Sequence, residues 1–596
     1  MFYLKTENRS DGRTWEKTPE KSDIRVIAGA GIRVTAITDG LYAFYLHRGP
    51  NVFIGESLWP TSDDELIKVT EHLQAGGDYR IPDGNVLTIA IMNTQDGDIK
   101  VYKSQSCNRP AYFYIDDGKF ICTSHLQLIN DDGVRLELDQ EIMPEFFAYR
   151  FIMPPKTLFK NIRYLPGGWS LSGNAVAGEV NLQNNWKLKL NDRVTDIGEI
   201  VDSTTQLLRR SMEPIKAMGE KAVLLLSGGL DSSILGAFSK ESGIDVDSIS
   251  SGFHLITGDS GESEYARSAA EVFGFNHSVH DVSEEDYLSA LIDSINITGE
   301  PIHHLQSAAL GLLFSNGIKP GVKYLINGEG ADSLFCNTMH YQYWINRSIV
   351  RFTDNPFIRV LLKPLLSLPS PIRDRFRYYS YNHSDDHSDM QHFIWGLGAY
   401  GDIEWVKDRY GVNLARIVEN RRRFLDNYMG WPILDKITIL SFCGEADETM
   451  KIWGKLAEHH GKIMIYPFSF PALISFAFGV TWEIKAREPK YLLKNVARSV
   501  HIPEEIINRR KKSFGFPIAY WALPGTLFQP LVEMAGEMFE PAELQSLQTM
   551  ELPKAMILWG MLNLYIWQKM FVDDIEPAEI KREVLERHRS QKKKSV

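Results

Sequence analysis

Cysteine is scarce in this chain. Four (Cys107, Cys122, Cys336 and Cys443) occur in 596 residues and none forms a CxxC, which argues against a disulfide scaffold or a zinc ribbon. Long apolar runs are missing too: the nearest, PFIRVLLKPLLSLPSPI, is broken by Arg359, Lys363 and three internal prolines, so no membrane span is predicted. The opening MFYLKTENRSDG has no apolar stretch of the signal-peptide kind. Excess positive charge is also lacking. With 65 Lys+Arg against 76 Asp+Glu the net charge is −11, and no global field draws in a nucleic acid. A Walker A loop is absent, because Gly118-Lys119, Gly454-Lys455 and Gly461-Lys462 are followed by Phe, Leu and Ile. Gly29-Ala30-Gly31 has Val34 where a dinucleotide fingerprint needs its third glycine. With 44% hydrophobic and 24% charged residues, the expectation is a soluble, cytoplasmic globular protein, large enough to stand without disulfides.

What is present falls into two styles. Residues 1–190 read as short strands parted by turns, among them Val86–Asn93, Asp98–Lys103, Ala111–Ile115 and Lys119–Ser124. The polar stretch Asn181–Asp196 reads as a linker, and a second unit is expected over 195–596. There a helix over Thr195–Met218 precedes strands at Ala222–Leu226, Asp247–Gly252, His277–Val282 and Val322–Ile326. Helices are expected between them at Ser232–Ser242, Glu262–Phe273, Glu284–Ile297 and Gln306–Asn316. That alternation predicts an α/β fold with a doubly wound parallel sheet. Beyond Tyr341 the pattern is almost wholly helical, ending in a basic, solvated helix over Lys581–Lys594.

The stretch LLLSGGLDSS (Leu224–Ser233) carries the chemistry. An apolar strand runs into Ser227-Gly228-Gly229, and a helix opens near Asp231 and Ser232. Paired glycines let the backbone turn tightly and approach a ligand. Amides at the positive end of a helix dipole suit a polyphosphate, and Ser227, Ser232 and Ser233 add hydroxyls. A carboxylate (Asp231) beside a phosphate cradle makes sense chiefly if Mg²⁺ lies between them. The bland alternative is an ordinary turn with Asp231 as a cap. SGGxDS arises by chance in a chain this long only about once in a thousand, and here it sits at a strand-to-helix junction. A second motif, LINGEGADSLF (Leu325–Phe335), follows a later strand. Doubly wound sheets bind ligands at the carboxyl edge of their strands, which puts Glu329 in place to assist an amine and Asp332 in place to complete a Mg²⁺ site with Asp231.

SGGLDSS resembles the pyrophosphate loop (PP-loop) of ATP pyrophosphatases. Followed about a hundred residues later by NGEGAD, it is similar to the synthetase half of the asparagine synthetase B family. EPKYLLKNVA (Glu488–Ala497), HIPEEIIN and RRKKSFGFP (Arg509–Pro517) resemble that family's C-terminal signature. The resemblance implies ATP and Mg²⁺ as cofactors, Lys490 on the departing pyrophosphate, and Glu329 beside the attacking amine. It further implies that Leu226, Ser227, Gly228, Gly229, Asp231, Ser232, Ser251, Asn327 and Gly328 hold the nucleotide, that Arg509–Lys512 belong to a lid, and that a homodimer is compatible.

The same resemblance makes the N-terminal unit a degenerate Ntn-hydrolase-like, class II glutaminase-like α+β domain. In that family an N-terminal cysteine hydrolyses glutamine; here Met1 is followed by Phe2-Tyr3-Leu4. The family's Arg-Asp pair reads Lys103-Ser104, and its following glycine is Cys107. Cys107 lacks an adjacent His and reads as a bystander. Gly454-Lys455 stands where relatives carry Asp-Arg, which weakens aspartate as the acid. The expected reaction is adenylation of a small-molecule or peptide carboxylate followed by transfer to ammonia or an amine. The alternatives are an intramolecular ring closure, as in β-lactam synthetases and lasso-peptide cyclases, and a non-catalytic scaffold. Glu329 favours the intermolecular reaction, since ring formers tend to replace it. His383, His387 and His392 with Asp385, Asp386 and Asp389 read as a solvated loop, His303-His304 lie near the expected acceptor pocket, and His459-His460 read as packing.

Overall fold

The computed structural model describes residues 2–8, 23–28, 32–38, 43–58, 87–105, 109–116, 119–186, 193–255, 258–259, 262–338, 340–341, 344–345, 401–509, 518–521 and 523–594, with positions 62, 64, 67, 68, 71 and 361 besides. Cys107, the Gly29–Gly31 turn, the histidines at 383–392 and residues 510–517 lie outside the described residues.

Among the described residues, twelve strands build two antiparallel sheets. They are β1 (Phe2–Asn8), β2 (Asp23–Ala28), β3 (Ile32–Thr38), β4 (Ala43–Arg48), β5 (Asn51–Ser57), β6 (Leu87–Asn93), β7 (Asp98–Lys103), β8 (Tyr112–Asp116), β9 (Lys119–Thr123), β10 (Ile162–Tyr164), β11 (Trp169–Asn174) and β12 (Glu179–Asn184). One sheet runs β10-β8-β9-β1-β3-β2, the other β12-β11-β7-β6-β5-β4, and β1 packs against β5 between them. Strand β6 is buried nearly throughout, whereas β7 alternates with the period of two that a half-covered strand needs. Residues Asn181–Asn184, expected in a linker, instead form part of edge strand β12, paired with β11. An edge strand open on one side needs few apolar residues, so its polar sequence concealed it.

A 22-residue helix, Ile197–Met218, leads into the second unit; Asp196 caps it by accepting the Glu199 amide, and Gly219 (φ +63°) ends it. A parallel sheet follows, of β13 (Ala222–Leu225), β14 (Val246–Leu255), β16 (His277–Val282), β17 (Tyr324–Ile326) and β18 (Ile463–Ile465), with β15 (Gly258–Asp259) hairpinned on β14. Its order is β16-β14-β13-β17-β18. The order reverses between β13 and β17, the point where doubly wound sheets open a crevice. Strand β18 is an exception to the almost wholly helical pattern expected beyond Tyr341. Three buried residues, IMI, are too short to show a strand period, yet they pair with β17.

The two units share one apolar core and a buried ionic layer. Glu300 accepts from the Tyr112 hydroxyl (2.6 Å) and pairs with Lys451 (3.0 Å) and Lys455 (3.3 Å), while Lys455 also donates to Tyr112 (2.9 Å). Tyr112 comes from β8; Lys451 and Lys455 lie one turn apart on the helix Asp447–His459. That helix ends with His459 exposed and His460 half-buried at its C-cap, ahead of Gly461 (φ +68°), the two rings edge to face with centroids 5.0 Å apart. The C-terminal helix Pro577–Lys594 is only partly solvated: Ile580 and Val584 are buried, and Lys581 binds Asp293 at 2.6 Å.

Lys485, on the short helix Trp482–Lys485, is 1% exposed, its ammonium 4.8 Å above the Trp482 ring and without a hydrogen-bond partner among the described residues. Burial pushes its pKa down to about 8, against the pull of Asp435. Between about pH 8 and the ordinary lysine value the folded chain holds fewer protons than the unfolded one, so stability rises with pH across that window. Lys485→Met is therefore expected to raise stability at pH 7 by on the order of 1–3 kcal/mol. The gain should shrink above pH 9, as read by denaturant midpoints at both pH values.

Candidate active site

The loop after β13 is shaped by contacts its sequence dictates. Leu226 prolongs the strand, its amide donating to the Ile249 carbonyl (2.9 Å). Gly228 takes a left-handed conformation (φ +67°), and a Cβ there would lie 2.4 Å from the Tyr265 main chain, so only glycine fits. Gly229 caps the helix Leu230–Glu241. The Ser232 hydroxyl accepts the Ser227 amide (3.3 Å) and donates to the Gly229 carbonyl (3.2 Å), and the Ser227 hydroxyl accepts the Gly229 amide (3.2 Å). The Ser227 and Ser232 hydroxyls thus hold the loop itself, whereas the Ser233 hydroxyl is buried without a hydrogen-bond partner among the described residues. The first intrahelical bond runs from the Ser233 amide to Gly229 (3.0 Å), which leaves residues 230–232 as the turn whose amides precede it.

The loop after β17 lies alongside. The Asn327 amide donates to Ile465 of β18 (3.0 Å), and its side-chain oxygen accepts the Glu329 amide (2.7 Å). A Cβ on Gly328 would stand 3.2 Å from that of Asp231, so the two loops touch. Gly330 (φ +95°) packs its Cα against the Ser469 hydroxyl, which also donates to the Glu329 carbonyl (3.4 Å). Burial, with the negative charge of Glu329 adding to it, pushes the Tyr466 phenol up.

Lys490 joins the two loops. Its ammonium meets the Asp231 carboxylate and lies 2.8 Å from Asp332. The side chain is 14% exposed, and its backbone is pinned in a left-handed conformation (φ +57°) with the amide on the Cys336 carbonyl (2.8 Å). Burial alone would lower the lysine pKa; the two carboxylates override it and hold the ammonium charged. Arg509, at the near end of the basic cluster, donates to the Ser227 carbonyl (3.0 Å) and lies over the Tyr265 ring (3.8 Å). Asp231 and Asp332, 101 positions apart in the sequence, thus converge on one cation at the carboxyl edge of adjacent strands. Two carboxylates from separate loops are the hard oxygen donors that Mg²⁺ takes.

A protein-family model described as asparagine synthase matches residues 204–559, well over half of the chain. The chain belongs to the asparagine synthase family. Both site loops and Lys490 fall inside the matched span; the twelve antiparallel strands precede it. Among curated proteins, the "asparagine synthetase [glutamine-hydrolyzing] 1" of Bacillus subtilis (strain 168) is 22% identical over 437 residues, 69% of this chain, which spans 65% of that relative's length. A solved structure of a glutamine-dependent NAD⁺ synthetase from Acinetobacter baumannii in complex with ADP shares 14% identity. It covers 35% of this chain and 46% of that one, at a TM-score of 0.18, too low to define a common fold.

Other expected positions fall as follows. Ser251 lies in β14 two residues past Ile249, beyond the end of β13. His303 is buried with its Nε2 on the Thr449 hydroxyl (3.1 Å), and His304 packs edge-on to Trp453; burial holds the His304 pKa at about 3. Tyr265, Ser469 and the Cys336 carbonyl shape the site without any signal in the sequence, because each acts through main-chain position or close packing. Gly228→Ala is expected to lower stability by at least about 1–2 kcal/mol. Gly229→Ala, whose nearest neighbour is the movable Ser227 hydroxyl at 3.2 Å, should cost less than about 1 kcal/mol. Chemical denaturation of both variants reads the difference.

Proposed function

We propose that this chain is an ATP-dependent, AMP-forming amide ligase that adenylates a carboxylate and passes the acyl group to ammonia or an amine. The observation that carries the reading is the convergence of Asp231, Asp332 and Lys490 where the strand order reverses. In this reading a substrate carboxylate oxygen attacks the α-phosphorus of ATP and the α–β bridge breaks, releasing pyrophosphate. The amine then attacks the acyl carbon, AMP leaves, and the proton shed by nitrogen passes to Glu329 or solvent. Ser227, Gly228, Gly229 and Ser232 would cradle the pyrophosphate, with Leu226, Ser251, Asn327 and Gly328 beside the nucleoside. Asp231 and Asp332 would hold Mg²⁺, which when bound supplies positive charge against the leaving group. Lys490 adds a second positive charge to the same oxygens.

We further propose that the two antiparallel sheets are a glutaminase-like domain that no longer hydrolyses glutamine, covering roughly 1–190. In the family's Arg-Asp pair the aspartate would grip glutamine's amino group, and Ser104 stands in its place; the Lys103 ammonium, at the arginine position, donates to the Tyr164 hydroxyl (2.6 Å) and the Leu165 carbonyl (3.1 Å). Phe2 is fully buried, its amide donating to the Ser124 hydroxyl (3.0 Å). The presence of Glu329 favours an intermolecular amine over ring closure.

Asp231→Ala is expected to abolish carboxylate-dependent exchange of pyrophosphate into ATP; undiminished exchange would refute the assignment. Ammonium or an organic amine should support AMP release where glutamine does not, and glutaminase activity of the purified chain would overturn that part. Glu329→Gln should slow amide formation by ~10²-fold or more while leaving exchange intact, a split that assays of both half-reactions resolve.

A further inference from the structure

Both proposed metal ligands are engaged, and by the same group. The Lys490 ammonium lies between Asp231 and Asp332, with side-chain exposures of 14%, 21% and 37%. Largely shielded from water, this is not the weak ion pair of an open surface. Two carboxylates drawn this close repel each other unless a cation sits between them, and Lys490 supplies it.

Resting on the reading of this site as a metal and pyrophosphate cradle, we propose that Lys490 is an exchangeable stand-in for the metal: its ammonium keeps the two carboxylates apart from solvent and from each other until a divalent ion displaces it onto the pyrophosphate. A divalent cation and the ammonium need the same carboxylate oxygens, so the two compete. By linkage, Lys490 weakens metal binding in the absence of nucleotide, and metal binding releases Lys490 by the same factor. Pyrophosphate relieves the competition by giving the displaced ammonium new oxygens. Metal and polyphosphate therefore bind cooperatively, each poorly without the other. The charge arrangement agrees: two carboxylates and one ammonium leave a net negative charge, which repels a bare polyphosphate and attracts a divalent ion.

The backbone allows the exchange. The Lys490 amide is fixed on the Cys336 carbonyl (2.8 Å), and its own carbonyl accepts the Lys494 amide (2.9 Å) at the start of the helix Tyr491–Ser499. The Cα is an anchored pivot, and the flexible four-carbon stem carries the ammonium from one partner to the other without moving the fold.

The test uses Mn²⁺ as a spin-active probe on the full-length protein without nucleotide. Lys490→Met should bind Mn²⁺ about tenfold or more tightly than the wild type. Adding pyrophosphate should tighten Mn²⁺ strongly in the wild type and little in the variant. Asp332→Asn on the Lys490→Met background should remove the gain. Equal Mn²⁺ affinity in the wild type and Lys490→Met, or a gain that survives Asp332→Asn, would overturn the proposal. Should the methionine variant fail to fold, Lys490→Gln, which keeps a neutral donor in the same place, serves for the same comparison. The two readings fail differently. If the cradle itself is wrong, the wild type shows neither pyrophosphate-dependent Mn²⁺ binding nor ATP–pyrophosphate exchange. If only the competition is wrong, the wild type shows both and removing the lysine leaves the Mn²⁺ affinity without nucleotide unchanged.

Discussion

The buried contact of Lys490 with Asp231 and Asp332 ties together parts of the chain more than a hundred residues apart, and it forms only because β13 and β17 are neighbours in the parallel sheet. Each loop then needs its own device to present its acid. After β13 it is Gly228, whose left-handed turn lets the backbone close on Tyr265. After β17 it is the Asn327 side chain accepting the Glu329 amide, and Gly330 packed on Ser469. Strand β18 fixes the second loop from its far side through the Asn327 amide. A change in any of these moves a carboxylate relative to the lysine. The cost of three charged groups held mostly out of water is met only while all three stay together.

A second constraint acts between the two units. The helix Asp447–His459 carries Lys451 and Lys455 into contact with Glu300, and Lys455 reaches Tyr112 of the antiparallel sheets. One turn before this helix, Ser441 shares a hydrogen bond (2.8 Å) with Ser333, which follows Asp332. The ionic layer beneath the sheets and the loop bearing Glu329 and Asp332 are thus linked through a single helical segment. Lys455, at the position where departure from Asp-Arg argued against aspartate as substrate, is a fully buried strut of that layer. Its place in the structure is therefore where the two units join.

Much of this was legible in the sequence where period and loop chemistry coincide. The buried run of β13, the SGG turn and the following helix are local signals, and the helix begins at Leu230, within a residue or two of the place the motif marks. His277–Val282 and Glu262–Phe273 match their expected bounds for the same reason. The failures share a cause as well. Edge strand β12 is polar because one of its faces is solvated, and β18 is too short to display a period. The hydrogen bonds that the Ser227 and Ser232 hydroxyls make within the loop were not legible either, because sequence shows a hydroxyl and not its local partner. The meeting of Asp231, Asp332 and Lys490 was readable only through the expected strand order and the family resemblance; no spacing rule places Lys490 between them. Tyr265 and the Cys336 carbonyl act through backbone position, which side-chain identity does not encode.

The most direct test of the account is a structure of the full-length protein with Mg²⁺ and a non-hydrolysable ATP analogue. One oxygen each of Asp231 and Asp332 should lie about 2.1 Å from the ion, with the β- and γ-phosphates over residues 227–232 and the Lys490 ammonium on a phosphate oxygen. A nucleotide bound elsewhere, or an ion held by neither aspartate, would contradict it.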